Sequence, residues 1–265
     1  MGRQDYFKDE WAVSETVGFI IIFGIVMAGI GLVTLYGYPA LLNQQTEANI
    51  RNMEKSMIVL QSDMNSLTFK NVPFQETTLQ VAGGTFMVSK EPNPLKPYFE
   101  VTKGGFQIPG VPKFYPGELK FISEDGDAVI VTENGAIHKR YYSSAGGSVM
   151  ISEPRWFYDE PTQTFVMSFL RINASRDFAQ TGIGTVSMKN VNSEEHIEDV
   201  TGSTVRIEYR ANPDDNYNIA WKNYFDKSDL KMTYDSGDGF YSKYKLDPSV
   251  KRLVIKTYYI TVLSL

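Results

Sequence analysis

Thr16-Val17-Gly18-Phe19-Ile20-Ile21-Ile22-Phe23-Gly24-Ile25-Val26-Met27-Ala28-Gly29-Ile30-Gly31-Leu32-Val33-Thr34-Leu35-Tyr36-Gly37-Tyr38-Pro39-Ala40-Leu41-Leu42 runs for 27 residues without a charged side chain. A helix of about 20 apolar residues is long enough to cross a bilayer. A secretory signal fits the stretch poorly. Signal cores span roughly 7–15 residues behind a basic start and before a small-residue cleavage site. This core is longer, its leader mixes Asp5, Asp9 and Glu10 with Arg3 and Lys8, and no such site follows Leu42. The stretch therefore predicts a retained helix, from near Val13. Gly18, Gly24, Gly29, Gly31 and Gly37 punctuate it. Membrane helices accept glycine where a second helix packs closely.

Outward from this stretch the apolar pattern continues. Ile50, Met53, Met57, Leu60, Met64 and Leu67 alternate gaps of three and four, a heptad seam that prolongs the helix to about Leu67. Such a seam packs either between subunits or against the chain's own domain, and for its C-terminal half the second is the usual role of an amphipathic helix. Pro39 inside the helix removes a backbone donor and predicts a kink. Tyr36 and Tyr38 suit an aromatic belt at the membrane exit. Asn71-Val72-Pro73 ends the helix, because the residue before a proline disfavours helical backbone.

After Pro73 the period changes to two. Thr77–Ala82 and Thr85–Lys90 flank Gly83-Gly84, read as a tight hairpin, and Ala128–Glu133 and Ala136–Tyr142 flank Asn134-Gly135, the strongest hairpin signal present. Glu91–Pro97, with three prolines, reads as a loop. Further strands are read at Glu118–Ser123, Val149–Ser152, Trp156–Asp159, Thr164–Asn173, Thr185–Lys189, Thr204–Arg210 and Lys231–Tyr234. One helix is read at Asn218–Phe225, with Ile219, Trp221, Tyr224 and Phe225 as its apolar face. The last strand, Leu253–Leu263, is apolar on both alternating faces, as expected of a strand covered on both sides. The expected class is α+β: a long N-terminal transmembrane and amphipathic helix, then a mainly antiparallel β-sandwich head. Its parts are a charged leader (1–12), the helix and heptad stalk (13–72) and the head (73–265).

Composition narrows the function. The chain has 265 residues, 42% hydrophobic and 22% charged, with net charge -5 and no cysteine. No basic patch is visible, so nucleic acid is not an expected partner. Without cysteine there is no disulfide framework, thiolate metal site or cysteine nucleophile. The two histidines, His138 on a hairpin strand and His196 in an acidic loop, form no recognisable catalytic motif. No enzyme activity or cofactor is expected. Asp235-Ser236-Gly237-Asp238-Gly239 offers Asp235 and Asp238 to calcium, but the full twelve-residue loop is absent and the cluster reads as a turn. Arg3 and Lys8 favour a cytoplasmic N-terminus, which places the head outside. Asn173-Ala174-Ser175 is then a candidate glycosylation acceptor.

Ala12-Val13-Ser14-Glu15-Thr16-Val17-Gly18-Phe19-Ile20-Ile21-Ile22-Phe23-Gly24 resembles the N-terminus of archaeal type IV pilin-like proteins. The order of parts also resembles a group of methanogen and haloarchaeal surface proteins of unknown role. The resemblance implies a helix that anchors the precursor and, after leader removal, packs into a filament core. It implies membrane lipid, other copies of the chain and a prepilin peptidase as partners. The implied cut lies between Ala12 and Val13, and the implied assembly residues are Glu15, Gly18, Gly24 and Gly29. Two features depart from the pilin pattern. Trp11 stands where a charge is usual, and Glu15 would be third in the mature chain where bacterial-type pilins carry a glutamate fifth. An uncut anchor bearing a binding head therefore stays open beside a filament subunit. The expected location is the cell membrane with an external head, or an extracellular filament.

Overall fold

Gly83 and Gly84 show how local signals and tertiary structure meet. In the computed structural model, which describes residues 7–70, 72–90, 97–143 and 147–265 and side chains from Thr16 onward, they are not a hairpin. They lie inside a single strand, β1 (Gln75–Val88). Gly83 takes φ +67°, and a Cβ there would come within 2.5 Å of the Asn49 side chain. One at Gly84 would meet the Ile122 carbonyl at 2.3 Å. The glycine pair is a β-bulge that lets a helix and a neighbouring strand approach the backbone. Register shifts across it, from Val81 to Phe86.

Residues up to Ala48 and residues from Asn49 onward are two compact units. The first is helical: α1 (Phe7–Leu32), a π turn (Val33–Gly37) and the start of α2 (Tyr38–Phe69). The π turn answers Pro39. A proline cannot donate to the carbonyl four residues back and its ring presses on it. Here the Tyr38 N–H bonds to the Val33 carbonyl, and the Thr34 hydroxyl donates to Ile30 O at 2.9 Å. The backbone bond just before the proline thus reaches five residues back instead of four.

The second unit has three layers. A nine-stranded sheet runs in the order β7-β6-β5-β4-β1-β10-β14-β9-β8, with β4 (Glu118–Ser123), β5 (Ala128–Glu133), β6 (Ala136–Tyr141), β7 (Ser148–Ser152), β8 (Phe157–Asp159), β9 (Thr164–Ala174), β10 (Phe178–Asp199) and β14 (Arg252–Ser264). Its pairs are antiparallel except β14 with β9. A five-stranded sheet follows the order β12-β13-β11-β2-β3, with β2 (Tyr98–Lys103), β3 (Phe106–Gln107), β11 (Val205–Arg210), β12 (Met232–Gly237) and β13 (Tyr241–Leu246). Between the sheets lies an aromatic core. Phe99, Tyr209 and Tyr244 from the smaller sheet meet Phe165, Met167, Phe169, Leu253 and Ile255 from the larger, with Trp221 and Phe225 of α3 (Asn218–Phe225).

The opposite face of the large sheet is covered by α2. All six seam residues, Ile50 to Leu67, are buried against Leu79, Phe86, Phe121, Leu170, Ile172, Ile260 and Val262. No part of the seam is left as a free stalk; it serves the chain's own domain throughout. Alternation explains the double covering. Phe165, Met167 and Phe169 face the sandwich, while Leu170, Ile172 and Ala174 face the helix. β14 changes cover along its length: Leu253 and Ile255 enter the sandwich, Ile260 and Val262 lie under α2. The α+β class and the two-sided last strand thus hold.

Other expectations need correction. β10 extends over 22 residues, so His196 lies on a strand rather than in a loop. Its acidic outer positions hid the period-two pattern. β2 and β13 lie outside the strands read from sequence; both alternate buried residues with outward Tyr, Glu, Thr or Lys. Ile219 is exposed, and Ala220 joins Trp221, Tyr224 and Phe225 on the buried face of α3. Residues 1–6, Asn71, residues 91–96 and residues 144–146 lie outside the described structure.

Candidate functional site

The first candidate site is the helix up to Ala48. A soluble helix hides its apolar stripe. This one exposes apolar side chains all round, from Phe19 (69%) to Leu35 and Tyr36 (70% and 72%). A helix apolar on every face has the pattern of one that spans a membrane or is buried among other elements. It is the one helix, among the described residues, long and apolar enough to cross a membrane. A Cβ added at Gly18, Gly24, Gly29 or Gly31 would meet nothing within 4 Å.

The glycines do not share one face. At about 100° per residue, Gly18 and Gly29 fall within about 20° of each other. Gly24 falls instead with Ala28 and Gly31, at helical spacings of four and three. Gly24, Ala28 and Gly31 thus form a small-residue stripe of the kind that admits a neighbouring backbone, whereas Ile22 and Ile25 lie between Gly18 and Gly29 on the other face. Ala12, Val13 and Glu15 have helical backbone, and their side chains lie outside the described ones.

The C-terminal part of α2 is fixed by polar contacts as well as by its seam. Gln61 is buried on the seam side. Its amide donates to Gly135 O at 2.6 Å and Glu153 O at 3.0 Å, and its carbonyl accepts from Ser152. The Asn134-Gly135 turn has positive φ at both residues, 50° and 74°, as a type I′ hairpin requires. The Gly135 carbonyl in this turn is the acceptor for Gln61. Lys139 pairs with Glu54 at 2.6 Å, and the Asp63 carboxylate accepts from Gln75 at 3.0 Å and from Thr77 at 2.5 Å. These bonds set the helix's register on the sheet.

Inside the head lies a second chemically distinctive cluster. Glu133, at the end of β5, is fully buried. The Trp221 indole N–H donates to its Oε1 at 2.7 Å, and Oε2 has no partner. Burial pushes the carboxyl up to about 8, against the indole's donation. His138 on β6 stacks on Tyr217 at 5.3 Å, with both ring nitrogens unpartnered. Burial drives it down to about 3. Near neutrality the histidine is uncharged and the carboxyl largely protonated. Sealed from solvent, they form a polar core rather than a surface that meets a substrate.

The remaining sequence candidates are dispersed. Asp235 sits on β12, where Arg206 (2.9 Å) and Lys245 engage its two oxygens. Asp238 accepts from the Phe240 and Tyr241 N–H groups in the adjoining turn. Both carboxylates are thus already engaged. No group of three or more metal-binding side chains converges among the described residues. Asn173 lies on β9, paired with Thr261 of β14, and its Oδ1 is buried. Sequence reading missed Gln61 and Glu133. Gln61 follows Met57 by four residues, so its place on the seam was readable, but its role depended on a hairpin 74 residues away.

Comparison with known proteins adds a family. An uncharacterized protein of Archaeoglobus fulgidus is 32% identical over 79 residues, 30% of this chain and 26% of that relative. The chain therefore matches about a quarter of the relative's length. No solved structure matches. The family of unknown function DUF7289 matches residues 12–262, nearly the whole chain, and the chain belongs to that family.

Proposed function

We propose that this protein is a non-enzymatic, pilin-like surface protein. Its N-terminal helix anchors it in the membrane and associates with other copies, and its β-sandwich head is displayed outside the cell. The observation that carries the reading is the uncharged helix from Thr16 to Leu42, exposed on all faces and with open space at its glycines. In a pilin-like assembly, cutting between Ala12 and Val13 frees an amino group near Glu15, and Gly18, Gly24 and Gly29 meet neighbouring helices. Asn173 is a candidate acceptor for glycosylation.

One observation favours the second reading, an uncut anchor carrying a binding head. The Ile50–Leu67 seam is spent on the chain's own sheet, so only residues up to Ala48 remain for packing between subunits. Mass spectrometry of the N-terminus in native membranes separates the two. A chain starting at Val13 supports the filament subunit. A chain starting at Met1 or Gly2 removes processing and supports the anchor.

A further inference from the structure

A cavity of about 180 Å³ opens on the sandwich face of the large sheet, beyond the aromatic core. Three strands build its floor in register. Arg171 of β9 lies beside Tyr259 of β14, and Phe169 lies beside Thr257, which pairs onward with Glu194 of β10. Residues 110–115 form the opposite wall, where Phe114 stacks on Phe169 at 4.6 Å.

The charges lining the cavity are unevenly satisfied. Lys113 pairs with Glu100 at 3.5 Å and lies over the Tyr98 ring. Glu194 accepts from Asn192 at 3.1 Å and from the Tyr259 hydroxyl at 3.3 Å. Glu195 faces Lys256 at 3.8 Å, and His196 contacts Glu198 at 3.3 Å. Arg171 differs. Its Nε is shut off from solvent with no hydrogen-bond acceptor, and among the described residues no carboxylate pairs with it. A half-buried guanidinium without a partner is costly, and its planar fork matches a carboxylate.

We infer that this cavity is a binding site for a small hydroxylated carboxylic acid, an acidic sugar of the hexuronate type, held through its carboxylate by Arg171. The other groups fit the rest of such a ligand. Glu194, Thr257 and Tyr259 offer acceptors and donors to hydroxyls, and Val111 and Ile255 offer apolar contact to ring carbons. The Glu194 carboxylate on the floor disfavours a doubly charged phosphate more than a singly charged carboxylate. The volume is below that of pockets for drug-sized ligands and suits one ring. The site belongs to the head alone and stands whether or not the leader is cut.

The test is calorimetric titration of the full-length protein in detergent. D-Glucuronate is the probe, with D-glucose as the neutral analogue and propionate as a carboxylate without hydroxyls. One saturable glucuronate site is expected, with glucose and propionate each weaker by about tenfold or more, the loss of one charge-assisted or several neutral hydrogen bonds. Arg171→Met should weaken glucuronate by at least about tenfold, and Arg171→Lys should fall between, keeping charge without the fork. Since the Arg171 Nε has no acceptor in the fold, both variants should melt near the wild-type temperature. Absence of saturable glucuronate binding, or equal affinity for glucose, overturns the proposal without any variant. Equal affinity for propionate overturns the sugar assignment, and full affinity in a folded Arg171→Met overturns the role of the arginine.

Discussion

Leu60→Ala, set beside Val59→Ala, examines whether the helical seam belongs to the head. The two residues are neighbours on α2 with opposite environments. Leu60 has no exposed surface and lies in the cluster with Leu79, Phe121 and Ile172, whereas Val59 is 51% exposed. Truncating a buried leucine removes its transfer energy and leaves a cavity, at a cost of about 2–5 kcal/mol. Truncating an exposed valine changes stability by about 0.5 kcal/mol or less. With a urea dependence of about 1–3 kcal/mol per molar, Leu60→Ala should lower the midpoint by roughly 1–2 M, and Val59→Ala should leave it nearly in place. The assay is urea unfolding of a fragment from Asn49 to Leu265, followed through the fluorescence of Trp156 and Trp221. Both indoles are buried in the inter-sheet core. Equal shifts for the two variants, or no shift for Leu60→Ala, would show that the helix does not roof the sheet and would refute the three-layer arrangement.

The buried pair Glu133 and His138 shapes stability against pH. The Glu133 carboxyl sits at about 8 when folded against 4.5 ordinarily, so its contribution is full below 4.5 and lost as pH rises through 8. His138 sits at about 3 against 6.5, so its contribution is full above 6.5 and lost as pH falls through 3. Between 4.5 and 6.5 the two slopes oppose. The head should therefore lose stability from about pH 6.5 to 8 and again below 4.5, with Glu133→Gln removing the first decline and His138→Phe the second in urea titrations across pH. Gln61→Leu leaves the Gly135 and Glu153 carbonyls without their donor and should cost about 1–3 kcal/mol in the same unfolding assay. Gly24→Leu should leave the head's melting temperature unchanged, since a Cβ there meets nothing in the chain. In cells it should reduce filaments seen by negative-stain microscopy if that stripe packs against neighbours, and unchanged filaments would take Gly24 out of the contact.

The parts legible in sequence were those fixed by period and local turn chemistry. The seam from Ile50 to Leu67 follows from spacing alone, and every member is buried. Asn134-Gly135 needs positive φ at both positions, and those two residue types tolerate it. The apolar alternation of β14 announced covering on both sides. What sequence could not give depends on distant partners. Gly83-Gly84 carries the same local signal as a hairpin, and only the approach of Asn49 and Ile122 makes it a bulge. β13 and the outer half of β10 carry Lys, Glu and Ser on their outward faces, which lowers their apolar content without changing their pairing. Glu133 and Arg171 look like surface charges in sequence. One is sealed by Trp221 and the other lies in a cavity built by three strands and a loop.

The central claim is that the helix up to Ala48 holds the chain in a membrane while the remainder folds as an independent head. Carbonate extraction of membranes from cells expressing the full chain, the full chain with Ile25→Arg, and the Asn49–Leu265 fragment tests it most directly. The full chain should stay with the membrane, and the fragment should be recovered folded in the soluble fraction. Ile25→Arg should be depleted from the membrane, because a central arginine costs about 2.5–3.5 kcal/mol on insertion. A full chain recovered as a soluble monomer without detergent would contradict the claim.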